Sequence, residues 1–185
     1  MKAVDILLKE HSLISLMLNN LEKASKQITN GIFPPKKFFE NFVIFARTFA
    51  DKYHHYKEEY LMFGLLAQKK EGDIDLEIGV LKFQHDLCRE CINKIENSIE
   101  GYGKKNEIVT TILLSNLSSY ATMLKWHIHL ENNIFFKMAE KEISDEEGDI
   151  LYNQFIEEDN LQGENNFFEK NRNLVCELGI MLNGK

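Results

Sequence analysis

The chain has 185 residues, of which 44% are hydrophobic and 28% charged, with a formal net charge of −7. This length and composition suit one globular domain with a sizeable core. The acidic balance argues against nucleic acid and anionic membrane surfaces as partners. Asp5, Lys9 and Glu10 interrupt the apolar N-terminal stretch, which is therefore not a signal peptide. No uncharged run approaches the roughly 20 apolar residues that cross a bilayer, so we expect a soluble cytoplasmic protein.

Four long amphipathic helices are predicted in chain order, at about 3–28, 36–70, 75–100 and 106–142. In each, apolar residues recur at steps of three and four. Turns containing Gly, Pro and Asn separate them. Ser144 and Glu147 form a capping-box pattern that opens a fifth helix to about 159, and a last amphipathic stretch covers about 164–182.

No segment alternates between apolar and polar residues with period two, so the fold class is predicted to be all-α. Short connections make sequential helices antiparallel neighbours. We therefore expect an antiparallel up-and-down four-helix bundle with two extra C-terminal helices. Residues 1–185 would form a single domain, with the bundle core at about 4–142 and the helical extension at about 144–183. Three cysteines, an odd number, do not suggest a disulfide framework.

A pattern of potential metal ligands occurs twice along the chain. Each half has a lone histidine in its first predicted helix and the pattern His-x3-Glu in its second. Positions i and i+4 share one face of a helix, so each His-x3-Glu presents both side chains in one direction. The six residues are His11, His54 and Glu58 in the first half, and His85, His127 and Glu131 in the second.

The helix lengths place these residues at similar levels. At about 1.5 Å per residue, His11 and His54 lie roughly 26 and 27 Å from their connection, and His85 and His127 roughly 24 and 30 Å. The second pair therefore differs by about one turn. Carboxylates buried without partners are strongly destabilising, whereas a cation converts them into binding energy. The set suits iron or manganese rather than closed tetrahedral zinc, and the simplest assignment gives each metal two histidines.

The arrangement H…H-x3-E…H…H-x3-E on four helices resembles the hemerythrin-like (HHE cation-binding) domain family over about residues 4–142. The resemblance implies a non-haem di-iron centre: two iron ions with an oxo or hydroxo bridge and Glu58 and Glu131 as bridging carboxylates. Oxygen-carrying members have H-x3-H on the third helix, whereas this chain has Arg89 at the second position. It therefore resembles the four-His, two-Glu branch, which includes iron-centre repair proteins and iron- and oxygen-sensing domains.

Neighbouring residues allow further expectations. His55 and His129 are expected to face away from the ligands, at the surface or behind them. Glu59 and Asn132 occupy matching positions and either orient imidazoles or face solvent. A phenol from Tyr53, Tyr56 or Tyr120 could fill a spare coordination position. Cys88 and Cys91 are expected to be inert thiols.

Three functions stay open at this point. The first is a redox-reactive di-iron protein that binds or turns over O2, peroxide or nitric oxide. The second is an oxygen or iron sensor, or an oxygen store, which would present a surface to an unknown protein partner. The third is iron storage or donation for iron-centre repair.

Overall fold

The computed structural model describes residues 1–69, 72–161 and 166–183, and over these ranges the chain forms six helices and no strand. This confirms the all-α prediction. Helix α1 spans Lys2–Thr29, α3 spans Gly72–Gly103, α5 spans Asp145–Leu161 and α6 spans Phe167–Met181. The start that was predicted for the last helix, at 164–165, and the predicted end of the second, at 70, lie outside the described residues.

Two helices change their hydrogen-bonding pattern along their length. Helix α2 begins as Lys36–Phe45, continues as π-helix over Ala46–His55 and Lys57–Met62, and ends as Phe63–Leu66, followed by a 3₁₀ turn at Ala67–Lys69. Helix α4 runs as Glu107–Leu130, π-helix Glu131–Phe135 and Phe136–Glu142. The wider π turns are rare and occur frequently at functional sites. In both helices, the π-helical stretches include residues of the His-x3-Glu segment.

Helices α1 to α4 close a ring of contacts: α1 packs on α2, α2 on α3, α3 on α4, and α4 on α1. Buried apolar residues form two separate clusters. The larger one extends through Leu13–Ile28 of α1 and the facing parts of α2, α3, α4 and α6. The smaller one contains the start of α1, the end of α2 and Leu151 and Phe155 of α5. The candidate ligands lie between these clusters, in a buried polar layer.

The two C-terminal helices pack against the ring. Helix α5 contacts α1 and the second π-helical stretch of α2, and α6 contacts α1 and α2. Ser144 and Glu147 bond reciprocally: the Ser144 amide donates to Glu147 Oε2 at 2.8 Å, and the Glu147 amide donates to Ser144 Oγ at 3.3 Å. The capping-box prediction is therefore confirmed. Among the described residues, no helix is long and apolar enough to cross a membrane.

Candidate metal centre

The six candidate ligands come together in the polar layer, each at most 1% exposed. Glu58 reaches both halves of the layer. Its Oε1 lies 3.4 Å from Nε2 of His54 and 3.7 Å from Nε2 of His11. Its Oε2 lies 3.6 Å from Nε2 of His85. The two oxygens of one carboxylate thus face imidazoles of opposite halves.

Glu131 also spans the two halves. Its Oε2 lies 3.2 Å from Nε2 of His11 and 3.0 Å from Nε2 of His127. His85 and His127 approach each other at 3.0 Å between their Nε2 atoms, so the one-turn offset between them is absorbed. Helix α3 ends at Gly103 rather than near 100. This lengthens its path from His85 to roughly 27 Å, against roughly 30 Å back to His127.

Two groups of four side chains have ligand atoms that all lie within 4.8 Å of one another. Glu58 belongs to both groups. The groups are His11, His54, Glu58 and Glu131, and His55, Glu58, His85 and His127. The chain can therefore offer four nitrogen or oxygen atoms at each of two adjacent positions, with one carboxylate common to both.

The carboxylates of Glu58 and Glu131 are buried without hydrogen bonds. None of their four oxygens has a hydrogen-bond partner among the described residues. Burial, and next the nearby charge of Glu131, raise the pKa of Glu58 well above its ordinary value. Burial also acts to raise the pKa of Glu131, but the imidazoles of His127 and His11 outweigh it and lower that pKa to about 2. Such orphaned acceptors are strongly destabilising unless something positive lies between them.

Each of the four predicted histidines has an oxygen acceptor on its outer nitrogen. The Nδ1–acceptor distances are 2.7 Å from His11 to Asn132, 2.8 Å from His54 to Glu10, 2.7 Å from His85 to Glu59 and 2.9 Å from His127 to Gln84. A neutral imidazole that donates through Nδ1 keeps the Nε2 lone pair for a metal. Burial lowers the pKa of His54 and of His85 well below the usual range, which favours the neutral form.

Two of these acceptors were expected from the sequence and two were missed. Glu59 and Asn132 are at matching positions, and of the two alternatives left open for them, the contact with imidazoles is the one observed. Glu10 and Gln84 were overlooked, although a signal exists: each immediately precedes the lone histidine of its half. Each accepts from the other histidine of the same half, on a different helix.

The expectation that His55 faces away from the ligands is wrong. His55 is only 3% exposed, and its ring stacks on His85 with centroids 3.7 Å apart. The prediction assumed α-helical spacing, in which consecutive residues diverge strongly around the axis. His55 instead ends the π-helical stretch Ala46–His55, where the wider turn brings consecutive side chains closer in direction. His129, by contrast, is exposed as expected.

Lys57 is fully buried beside Glu10, the residue that accepts from Nδ1 of His54. Its Nζ lies 2.5 Å from Oε1 of Glu10 and 2.7 Å from Oδ1 of Asp159, and 3.4 Å from the ring centroid of Tyr53. Burial raises the pKa of Glu10 to about 7, although Lys57 acts in the opposite sense. Asp159 belongs to α5, so the C-terminal extension contributes to the layer behind the candidate ligands.

Arg89 binds Glu59, which contacts His85, and Asp51, which contacts His55. Its Nη2 lies 2.7 Å from both Oε1 of Glu59 and Oδ1 of Asp51, and its Nη1 lies 2.9 Å from Oδ1 of Asp86. Burial acts to raise the pKa of Asp51, but hydrogen bonds from His55 and Arg89 outweigh it and lower that pKa to about 2. Arg89 thus contacts the acids around the candidate ligands and not the ligands themselves.

A cavity of about 180 Å³ reaches the same side of the site. Its polar lining includes Arg89, Asp51 and His55. Ala50, Cys88 and Tyr120 form much of the remainder. Ala50, a small residue one turn before His54, lines this space.

The three candidate phenols pack against residues outside the ligand groups, and the thiols of Cys88 and Cys91 lie outside those groups. Tyr53 lies against Lys57, Tyr56 stacks on Tyr60, and Tyr120 packs on Phe42. Neither Cys88 nor Cys91 belongs to either group of four. Cys88 is buried, and burial raises the pKa of its thiol to about 12, in keeping with an inert thiol.

Comparison with known proteins assigns the same region to one family. The model described as "Hemerythrin HHE cation binding domain" matches residues 2–139. Similar curated proteins include the "Iron-sulfur cluster repair protein YtfE" of Pectobacterium carotovorum subsp. carotovorum (strain PC1), 28% identical over 88 residues. The protein of the same name from Yersinia pestis (strain Pestoides F) is 26% identical over 88 residues. Both matches cover 46% of this chain but only 40% of the relative. No solved structure matches the chain significantly.

Proposed function

Because the chain belongs to the hemerythrin HHE cation-binding family, we propose that it holds two iron ions and binds or reacts with O2, peroxide or nitric oxide. The proposed ligands are His11, His54, Glu58, His85, His127 and Glu131. One observation carries the proposal: four buried carboxylate oxygens, those of Glu58 and Glu131, accept no hydrogen bond within the described chain and face imidazole Nε2 atoms of both halves.

The donor set fits two cations. His11 and His54 would serve one ion and His85 and His127 the other, with Glu58 and Glu131 between them. Neutral imidazoles and two carboxylates suit iron, which supplies redox chemistry and affinity for small diatomic molecules when bound. The acceptors on the Nδ1 atoms fix the direction of the lone pair on each Nε2 atom. The ligands are therefore already oriented for cations in the metal-free protein.

The scaffold that we propose is an antiparallel four-helix bundle in one domain covering residues 1–185. The closed ring of contacts from α1 to α4 supports this arrangement, as does the buried layer between two apolar clusters. Bundles commonly build metal pairs from inward-facing side chains of this kind. Helices α5 and α6 would then cover the outside of the bundle.

A small exogenous ligand has room beside the candidate centre. The cavity of about 180 Å³ is lined by His55 and by Arg89, among others. That volume suits molecules the size of O2, nitric oxide or peroxide rather than a larger organic substrate. Reaction with peroxide or nitric oxide would give the protein a role in oxidative or nitrosative stress.

Metal analysis and optical spectra of protein purified without air test the proposal. We expect about two irons per chain in the wild type and in His129→Ala, whose histidine is exposed near the site. We expect loss of iron in His54→Ala and in Glu131→Ala. O2, peroxide and nitric oxide are then added separately: reversal when O2 is removed indicates binding, and consumption of peroxide or nitric oxide indicates turnover. A chain without iron, or with metal unaffected by both substitutions, would contradict the proposal.

Iron donation for iron–sulfur cluster repair is the second candidate. It is favoured by the names of the relatives, although they are matched over only 40% of their length. It predicts that iron leaves the loaded protein for an apo iron–sulfur acceptor mixed with it in the presence of sulfide. An acceptor that gains no more cluster than it does with an equal amount of free ferrous ion would exclude this role.

A further inference from the structure

His55 carries a buried nitrogen for which neither the sequence pattern nor the family match accounts. The side chain is 3% exposed, and its ring lies nearly parallel to that of His85, at an interplanar angle of 13°. Its Nδ1 lies 3.4 Å from Oδ1 of Asp51. Its Nε2 is buried and has no hydrogen-bond partner within the described residues.

The tautomer of His55 follows from these contacts. Asp51 is an acceptor when ionised, so the proton of the neutral imidazole belongs on Nδ1 and the lone pair on Nε2. Arg89 holds Asp51 in place, with Nη2 2.7 Å from Oδ1. A buried lone pair without a donor is destabilising. A cation would relieve this, as it would for the orphaned carboxylates.

His55 lies where its Nε2 could reach a cation. A ligand atom of His55 lies within 4.8 Å of ligand atoms from Glu58, His85 and His127. The rings of His55 and His85 lie face to face, and a lone pair lies in the plane of its ring. To share a cation with His85, the ring of His55 would therefore tilt so that Nε2 points into the group. The counterpart of His55 in the other half, directly after His127, is Ile128, so the second half cannot offer a matching donor.

We propose that His55 is a fifth histidine ligand, binding the cation that His85 and His127 hold. This inference rests on the proposed function, because it presupposes two cations in the layer. One cation then has three imidazoles and the other, at His11 and His54, has two.

A purely structural role for His55 makes a different prediction. If the ring only packs against His85, phenylalanine at this position supplies the same stacking. If Nε2 binds a cation, His55→Phe and His55→Gln both lose that bond. His129→Gln is the matched control, because His129 is an exposed histidine beside the other His-x3-Glu segment.

The test uses metal-free protein titrated with Co²⁺ as the probe, without air. Proton NMR in water counts the strongly shifted, exchangeable imidazole N–H signals, one for each histidine that binds Co²⁺ through Nε2. Circular dichroism shows which variants fold, and two different substitutions at His55 guard against failure of either one.

We expect five such signals in the wild type and in His129→Gln, and four in His55→Phe and His55→Gln. We also expect at least a tenfold weaker affinity for one Co²⁺ in both His55 variants. Two bound Co²⁺ with four signals in the wild type would overturn the His55 assignment and leave the proposed function standing. Failure of the wild type to bind two Co²⁺ would overturn both.

Discussion

The two halves of the polar layer carry the same ligand pattern but support it with different chemistry. In the first half the residues that accept from the imidazoles are acids, Glu10 and Glu59; in the second they are amides, Gln84 and Asn132. Each acid is paired with a cation. Lys57 binds Glu10, and Arg89 binds Glu59.

The repeat shows that the cations accompany the acids. Lys57 lies three residues after His54, and the equivalent residue after His127 is Leu130. Arg89 lies four residues after His85, and the equivalent residue after His11 is Ser15. A buried carboxylate requires a countercharge, whereas an amide oxygen does not. Every ligand imidazole therefore has an acceptor for its Nδ1. The first half supplies ion-paired carboxylates as acceptors, and the second half supplies neutral amides.

The largest effect on stability is expected from removing Lys57, because the acid that supports His54 then lacks its countercharge. Lys57→Leu copies Leu130 but leaves Glu10 buried without its cation. We expect the free energy of unfolding to fall by about 3–5 kcal/mol, the usual loss when one partner of a buried ion pair is removed. Denaturant unfolding followed by circular dichroism measures this change.

The double variant Glu10→Gln with Lys57→Leu sharpens the same test. It converts the charged support of His54 into the neutral kind that Gln84 and Leu130 provide. We expect most of the lost stability to return, with iron binding retained. If the double variant is no more stable than Lys57→Leu alone, charge pairing does not explain the difference between the halves.

A smaller effect is expected from Arg89, because its side chain is 35% exposed. Arg89→Ser copies Ser15 and leaves Glu59 and Asp51 without their shared cation. We expect about 1 kcal/mol of lost stability and roughly tenfold weaker binding of the cation near His85, measured by Co²⁺ titration. Arg47→Ser, which removes another partly exposed arginine that pairs with Glu96, should leave Co²⁺ affinity unchanged. Equal loss in both variants would contradict a specific role for Arg89.

The smallest effect is expected from an ion pair outside the layer, which serves as the baseline. Lys69 Nζ lies 2.7 Å from Glu147 Oε2. Hydrogen bonds from Lys69 and then from Ser144 lower the pKa of Glu147 to about 2. Because the folded-state pKa lies below the unfolded one, this stability is present above about pH 4.5 and is lost as pH falls toward 2. Glu147→Gln should reduce that loss slightly in acid unfolding curves and leave iron content unchanged.

Much of the site follows from helical periodicity alone. A four-residue spacing fixes two side chains on one face whatever the partner helix, so the convergence of His54 with Glu58 and of His127 with Glu131 could be predicted. Glu59 and Asn132 could be anticipated because the repeat marks them. The fifth helix was also expected, since Ser144 and Glu147 form a local capping pattern, and the last one was expected from its amphipathic stretch.

What sequence reasoning missed depends on other information. The position of His55 results from the π-helical stretch, and no residue pattern within Ala46–His55 announces the change of period. The burial of Lys57 depends on Asp159, a contact made by α5 across the fold. Such contacts are set by packing between distant segments, which a single sequence does not reveal.

The supports of the lone histidines cross between the halves: Asn132 accepts from His11, and Glu59 accepts from His85. Neither half could therefore complete its present site without the other. If the chain arose by duplication of a helical pair, the ancestor must have met a second copy of itself to hold its lone histidine. In the present chain, a substitution at Asn132 or Glu59 would disturb the histidine of the opposite half.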